Sequence, residues 1–210
     1  MLDDQRLFLT QLVTLAAVLD PISHLTLFVS STTALPRNDR RRVAILAILI
    51  AFTILTAFGF LGQYVLHAMG VSLMSFQIAG GIIIFLFALS MVLGDPTSDT
   101  ASVAGSERLL AVAVYPLAVP ILAGPGSILT VMVLMDNNRF SAADQVITIL
   151  ALAGVLGVLL GVFAASDTLS RVLGKGGSNV LRRIMGLILA ALSVNLVLSA
   201  VAAWLRLPAI

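Results

Sequence analysis

Six long runs of apolar residues alternate along the chain with short segments rich in proline, glycine or charge. The runs cover residues 7–35, 43–69, 76–94, 109–135, 146–165 and 181–205. A transmembrane helix needs roughly 20 mostly apolar residues, which is close to the length of each run or shorter. Strands of a membrane β-barrel would instead alternate apolar and polar positions. The pattern therefore predicts an all-α membrane protein with six transmembrane helices.

Composition points to the same class of protein. Apolar residues make up 60% of the 210 positions and charged residues 10%, against roughly 25% charged in soluble domains. Little sequence remains outside the runs, so we expect a single transmembrane domain over residues 1–210. The chain has no cysteine and two histidines, which excludes thiolate chemistry and gives a metal site poor support. We expect no cofactor and no enzymatic activity.

Positive charges are concentrated in alternate loops. Nine Lys and Arg residues fall in the first, third and fifth loops, and three lie on the other side: Arg6, Arg139 and Arg206. Because positively charged loops stay in the cytoplasm, both termini are predicted on the non-cytoplasmic side of the inner membrane. The arginines at 40–42 are interpreted as part of this topology signal. We therefore expect the lipid bilayer, and no nucleic acid, as a partner.

The two halves of the chain resemble each other. The segment DPISHLTLFV, which begins at Asp20, aligns with GPGSILTVMV, which begins at Gly124, at a shift of 104 residues. IAGGIIIFL from Ile78 aligns with IMGLILAAL from Ile184 at a shift of 106 residues. Three spans per half is an odd number, so the second half enters the membrane inverted. The chain is predicted to contain two inverted three-helix repeats, about 1–94 and 108–210, a design common in secondary transporters.

A helix-breaking motif interrupts the first run and the fourth. Proline lacks an amide donor and disfavours helix in the preceding residue, so Asp20-Pro21 and Gly124-Pro125-Gly126 each predict a helix broken at mid-membrane. Unwound backbone persists in a membrane only inside protein or beside a water-filled cavity. Two breaks at equivalent positions of inverted halves indicate one central site.

The residues around the breaks have the chemistry to bind a small zwitterion. Free amides of Gly126 and Ser127 at a half-helix start suit a carboxylate, whereas Asp20 and nearby carbonyls suit an ammonium group. Acids inside a membrane usually mark a substrate or ion path, but Asp20 also has the features of a simple N-cap, and both roles stay open. The candidate substrate-binding residues are Asp20, Pro21, Ser23, His24, Thr26, Gly124, Pro125, Gly126, Ser127 and Thr130.

His24 lies one turn after Asp20 on the same helix face. This spacing allows a proton to be shared, so Asp20 and His24 are the candidates for proton coupling. A neutral, hydrogen-bonded histidine is the alternative. The serine and threonine hydroxyls near the breaks have a structural alternative too, since such groups in spans often bond to the preceding turn.

Other glycines are interpreted as structural. Gly80, Gly81 and Gly186, and the pair Gly157 and Gly161, are predicted to let helices pack closely. Polar or breaker segments are predicted to separate the spans at residues 36–42, 70–72, 95–99, 136–139 and 174–178. The last of these, although glycine-rich, lacks the spacing of a phosphate-binding loop.

Four segments together resemble the MarC family: LDPISHLTLF, MSFQIAGGIIIFL, YPLAVPILAGPGSI and LRRIMGLILAALSVNLVL. The resemblance covers almost the whole chain. It implies an inner-membrane protein with six spans and, because the family includes the SnatA small neutral amino acid transporter, transport of glycine, alanine and similar amino acids. Family members often carry glycine, asparagine and proline after the first break, where this chain has Ser23, His24 and Thr26. The glycine, proline and glycine of the second break are intact.

The leading hypothesis is therefore a secondary transporter of small neutral amino acids, in which one half rocks against the other in alternating access. Coupling to protons is an extension of it. The alternatives are a MarC-type protein that exports another small metabolite, and a channel or scaffold. An intramembrane enzyme is disfavoured because Asp20 is the only deep acid and because Ser23 and His24 point to different helix faces. The sequence does not indicate which amino acid is the physiological substrate, whether it is imported or exported, which ion is coupled, or the oligomeric state.

Overall fold

The computed structural model describes residues 2–32, 35–93, 106–136 and 140–206. All regular structure in these ranges is helical. An irregular segment, Ala113–Leu122, precedes the sixth helix. The helices are α1 (Leu2–Val18), α2 (Pro21–Thr32), α3 (Arg37–Ala68), α4 (Leu73–Leu93), α5 (Ser106–Val112), α6 (Pro125–Leu134), α7 (Ala142–Ala164) and α8 (Ser166–Leu205).

Four helical stretches are long and apolar enough to cross a membrane unaided: α3, α4, α7 and the Arg183–Leu205 part of α8. Two bent pairs supply the others. The pair α1 and α2 is bent by 46°, and the pair formed by α5 with the irregular segment and α6 is bent by 60°. With each bent pair counted as one span, up to six spans cross the bilayer. The prediction of an all-α membrane protein is confirmed.

Local sequence explains where two of the long helices begin. Pro36 has extended backbone angles and directly precedes α3, which starts at Arg37 rather than at the predicted residue 43. Ser141 begins α7 with a capping box, in which its hydroxyl accepts from the Asp144 N–H and its own N–H donates to the Asp144 carboxylate. Such reciprocal bonds satisfy amides that have no partner inside the helix.

One predicted boundary is wrong. The glycine-rich segment 174–178 lies inside α8, and the chain turns instead at Ala165, between α7 and α8. A glycine within a helix costs only about 1 kcal/mol relative to alanine, which is not enough to end a helix whose other hydrogen bonds continue. The segment predicted at 95–99, the last three residues of the segment predicted at 136–139, and the predicted end of the third span at Gly94 lie outside the described residues.

The equivalent helices α4 and α8 pack together and run antiparallel. A Cβ atom added at Gly81 would lie 3.1 Å from the Ser193 carbonyl oxygen, and one added at Gly186 would lie 3.0 Å from the Ala88 carbonyl oxygen. Residue numbers therefore rise along α4 as they fall along α8, which is the relation expected of inverted repeats. Close packing at these two glycines was predicted and is confirmed.

The other predicted glycine pair does not pack closely. Gly157 and Gly161 lie on the exposed side of α7, and a Cβ atom at either position would meet no described residue within 4 Å. The prediction of a packing role for them is wrong, because small-residue spacing alone does not show which face of a helix meets a neighbour.

The two halves of the chain interlock rather than form separate bundles. Helix α1 packs against α7, α2 against α7 and α8, and α3 against α6 and the irregular segment. Phe28 of α2 stacks on Phe163 of α7 with ring centroids 4.4 Å apart. Most of the buried apolar side chains belong to this group of helices. We call it the core, and we call α4 with α8, which contact mainly each other, the outer pair.

Side chains from the following helix bind the carboxyl ends of both half-helices, α2 and α6. The Arg40 Nε donates to the carbonyl oxygens of Thr32 and Leu35, at 3.1 Å each. At the position 105 residues later, the Gln145 Nε2 donates to the Met135 carbonyl oxygen at 3.2 Å. The last carbonyls of a helix have no partner within it. The repeat is therefore visible in how each half-helix is held as well as in its sequence.

Replacing Arg40 with Ala is expected to lower thermal stability in detergent. Hydrogen bonds from a charged group are worth about 1.5–3 kcal/mol, and in a domain of this size that shifts Tm by roughly 3–12 °C. Arg40→Gln should retain much of the stability, because Gln145 donates a hydrogen bond to the carboxyl end of the equivalent half-helix, α6. The exposed Arg41, replaced by Ala, is the matched control. Equal melting temperatures for the two alanine variants would contradict the assignment.

Candidate functional site

The first break has the geometry of a helix start. Helix α1 ends at Val18, and Pro21 is the first residue of α2. The His24 N–H donates to the Asp20 carbonyl oxygen at 3.1 Å, so Asp20 occupies the N-cap position. The Ser23 hydroxyl donates to Asp20 Oδ2 at 2.5 Å. The carboxylate is thus held at the break, half-buried, by a residue of the new helix.

The second break repeats this arrangement after a longer unwound approach. Gly124 has extended backbone angles (φ −80°, ψ 169°) and is the N-cap of α6, with Pro125 at the first helical position. The Ile128 N–H donates to the Gly124 carbonyl oxygen at 2.9 Å. Upstream, Tyr115 and Val119 leave helical geometry, each directly before a proline. Both breaks predicted from the sequence are confirmed as features of the fold.

His24 joins the two breaks. Its Nδ1 lies 2.9 Å from the Asp20 carbonyl oxygen, and its Nε2 lies 3.1 Å from the carbonyl oxygen of Ile121, three residues before Gly124. The side chain is only 8% exposed. The start of α2 and the end of the irregular segment therefore lie side by side in the core.

The hydrogen bonds that the His24 ring donates depend on whether the ring is protonated. The two oxygens beside it are main-chain carbonyls, which only accept hydrogen bonds, and a neutral imidazole carries a single N–H. The neutral ring therefore donates to one carbonyl, and the protonated ring donates to both. Its hydrogen bond to Asp20 is made with the main-chain oxygen, whereas the carboxylate receives the hydroxyl of Ser23.

The threonines that follow the breaks bond to the preceding helical turn. The Thr26 hydroxyl lies 2.7 Å from the Ser23 carbonyl oxygen, and the Thr130 hydroxyl lies 2.8 Å from the Gly126 carbonyl oxygen. Thr26 also lies 2.6 Å from the sulfur of Met185 in α8. These bonds match the structural alternative for both residues. Ser127, one residue after Gly126, is buried.

The outer pair touches both half-helices next to the breaks. A Cβ atom added at Gly80 of α4 would overlap Cβ and Cγ of Pro125, the first residue of α6. The sulfur of Met185 in α8 contacts the hydroxyl of Thr26 in α2. Gly126 is different, since among the described residues a Cβ atom there would meet only Leu196 of α8, at 4.0 Å. Space therefore remains beside the amides of the second break, bounded by the outer pair.

Replacing Gly80 with Ala is expected to destabilise the protein. The added methyl would overlap a rigid proline ring, and overpacking typically costs about 1–3 kcal/mol. Gly157→Ala is the matched control, because none of the residues that the structure describes lies within 4 Å of a Cβ atom there and alanine favours helix by up to about 1 kcal/mol. Thermal unfolding in detergent measures both variants. A Gly80→Ala protein as stable as Gly157→Ala would show that α4 does not sit this closely on the second break.

Three contributors to the site were not found from sequence: the carbonyl oxygen of Ile121, and the side chains of Met185 and Leu196. A main-chain oxygen leaves no signature in the residue type. Met185 and Leu196 lie in the LRRIMGLILAALSVNLVL segment, but their apolar character does not distinguish them from packing residues. Two surface grooves lie elsewhere, one between α1 and α7 and one between α4 and α8.

The protein is a bundle of helices with up to six spans, and the breaks in two of these spans lie next to each other. This fold is that of a polytopic integral membrane protein. The chain belongs to the MarC family, since the model of the MarC family integral membrane proteins matches residues 5–205. The resemblance stated from sequence motifs is thereby confirmed.

Individual relatives are similar over nearly their whole length. A UPF0056 membrane protein of Methanocaldococcus jannaschii is 33% identical over 201 residues, which cover 94% of this chain and 97% of the relative. One from Aquifex aeolicus is 34% identical, covering 91% and 90%. The UPF0056 inner membrane protein YhgN of Escherichia coli is 30% identical, covering 92% and 95%. No solved structure matches the chain.

Proposed function

We propose that the protein is a secondary transporter of small neutral amino acids such as glycine, alanine, serine and threonine, working by alternating access. The observation that carries the proposal is the bridge from the His24 ring to the Ile121 carbonyl oxygen, which brings two broken spans together in the core. Transporters commonly bind their substrates at such paired breaks.

The two breaks offer complementary ends to a zwitterion. The first amides of α6, at Gly126 and Ser127, suit a carboxylate, because a helix N-terminus carries donors and partial positive charge. Asp20 suits an ammonium group. The space beside Gly126 is bounded by the apolar side chain of Leu196, which favours a substrate with a small, uncharged side chain.

The interlocked halves favour a different motion from the rocking of one half against the other. Such rocking would separate α1 from α7 and α3 from α6, which form most of the core. Movement of the outer pair over the core breaks fewer contacts. It would open and close the space beside Gly126, because Gly80 and Met185 of the outer pair touch the half-helices.

Proton coupling through Asp20 and His24 fits this arrangement. A protonated His24 donates to carbonyls on both sides of the site, whereas a neutral ring releases one of them. Protonation therefore strengthens the tie between α2 and the irregular segment. The carboxylate of Asp20, at the N-cap of the same helix, is the neighbouring charge.

We further propose that the protein lies in the inner membrane with both termini on the non-cytoplasmic side. The nine positive residues against three in alternating loops support this orientation. The E. coli relative is named an inner membrane protein, which supports the location.

Flux into proteoliposomes tests the proposal. Radiolabelled glycine, alanine, serine and threonine are supplied with and without a pH gradient, with empty vesicles as the control. Uptake above empty vesicles is expected, and it should be larger with the gradient. No flux or binding for any small zwitterion would remove the amino acid substrate and leave export of another small metabolite, or a channel or scaffold role. Equal uptake without the gradient would remove only the coupling.

A further inference from the structure

Gln11 is a buried glutamine whose amide has no hydrogen-bond partner among the described residues. Its side chain is 1% exposed, and neither Nε2 nor Oε1 is bonded. Three other glutamines behave differently, since Gln63, Gln77 and Gln145 each donate Nε2 to a carbonyl of another part of the chain at 2.9–3.2 Å. Gln11 is therefore an exception that packing does not explain.

Buried polar groups are nearly always hydrogen-bonded, because removing them from water without a partner is costly. An apolar side chain of similar shape would fill the same space without that cost. The amide of Gln11 is thus expected to bind groups that the described residues do not supply, namely a solute, water, or both.

The position of Gln11 favours a solute on its way to the breaks. It lies in α1 on the face that also carries Leu15, and Leu19, which directly precedes Asp20, is buried as well; both leucines are 0% exposed. Helix α1 packs against α7 and also against α6, the half-helix whose amides form the second break. A surface groove on the seam between α1 and α7, lined in part by Gln5 and Phe8, begins one turn before Gln11.

We propose that Gln11 is a polar contact point for the transported zwitterion and its water, between the outer end of α1 and the first break. Its Oε1 accepts from an ammonium group and its Nε2 donates to a carboxylate. This site rests on the proposed transport function. It adds a second contact, about two to three helical turns before Asp20, to the site formed by the breaks.

The absence of cysteine in the chain allows a direct test. In the full-length protein in proteoliposomes, Gln11→Cys should react with a small, charged methanethiosulfonate reagent, and alanine should slow the reaction. Leu15→Cys, one turn further along the same buried face, is the matched control. Reaction at residue 11 is expected to be at least about tenfold faster than at residue 15, because thiol reactivity follows access to water.

Gln11→Leu separates a solute contact from a merely structural residue. It should raise the melting temperature, because it removes an unpaired buried amide. It should also lower alanine flux by roughly three- to tenfold, the factor expected for the net value of one hydrogen bond. Gln11→Asn, which keeps an amide, should retain more of the flux than Gln11→Leu if both variants fold.

The outcomes distinguish this inference from the proposed function. Equal, negligible labelling at residues 11 and 15, or a stabilised Gln11→Leu protein with unchanged flux, would overturn the role of Gln11. Rapid labelling of Gln11→Cys in a protein that moves no amino acid would support the water path and refute the amino acid substrate instead.

Discussion

Replacing Asp20 with Asn is expected to abolish accumulation of substrate driven by a pH gradient, while exchange of substrate across the membrane continues. Asparagine has nearly the same shape and still offers an oxygen to the Ser23 hydroxyl, so the start of α2 is kept. It carries no negative charge and does not bind or release a proton near neutral pH. Uptake into proteoliposomes with an imposed gradient measures accumulation, and counterflow of labelled alanine measures exchange.

Asp136→Asn is the control for this variant, because Asp136 lies beyond the end of α6 and away from both breaks. It should accumulate substrate like the unmodified protein. Accumulation by Asp20→Asn at the unmodified rate would show that the carboxylate is not needed for coupling. If His24→Gln then lost the response to the gradient, the proton would reside on the histidine ring, which contacts both breaks.

The breaks could be predicted from sequence because their cause is local. Pro21 and Pro125 each remove a backbone donor and restrict the preceding residue, whatever surrounds them. The helix starts at Asp20 and Gly124 follow from the same two prolines. The class of protein could also be predicted, because long apolar runs that cross a membrane must form helices to satisfy their backbone hydrogen bonds.

The arrangement around the breaks could not be predicted, because it depends on contacts between distant residues. Nothing in the residue type of Ile121 shows that its carbonyl oxygen faces His24. Gly157 and Gly161 have the spacing of a packing motif, but their face of α7 is exposed. The burial of Gln11 without a partner among the described residues is likewise a property of the assembled core.

The interlocking of the two halves could not be predicted either, because it also depends on contacts between distant residues. An inverted repeat predicts equivalent helices, and α4 and α8 are equivalent and antiparallel. It does not predict whether a helix packs within its own half or with the other. Here the exchange between halves creates a core that holds the breaks and an outer pair that covers them, which sequence similarity alone does not specify.

Replacing Gly126 with Ala is expected to reduce transport strongly without harming the fold. In the described part of the chain, a Cβ atom at this position would meet only Leu196 Cδ2, at 4.0 Å, and alanine stabilises a helix by up to about 1 kcal/mol relative to glycine. The methyl would instead occupy the space beside the amides proposed to bind the carboxylate. Overpacking typically costs about 1–3 kcal/mol. If this cost reduces the free energy of substrate binding and leaves the free energy of unfolding unchanged, the affinity falls by roughly five- to 150-fold.

The informative comparison is with Gly80→Ala, whose added methyl overlaps Pro125 on the other side of the same break. Gly80→Ala should lose thermal stability, whereas Gly126→Ala should keep its melting temperature and lose alanine uptake at low substrate concentration. Uptake that becomes normal at high alanine would place the effect on binding. If Gly126→Ala transports alanine with unchanged affinity, the substrate carboxylate does not approach these amides, and the anion-binding end of the site must lie elsewhere.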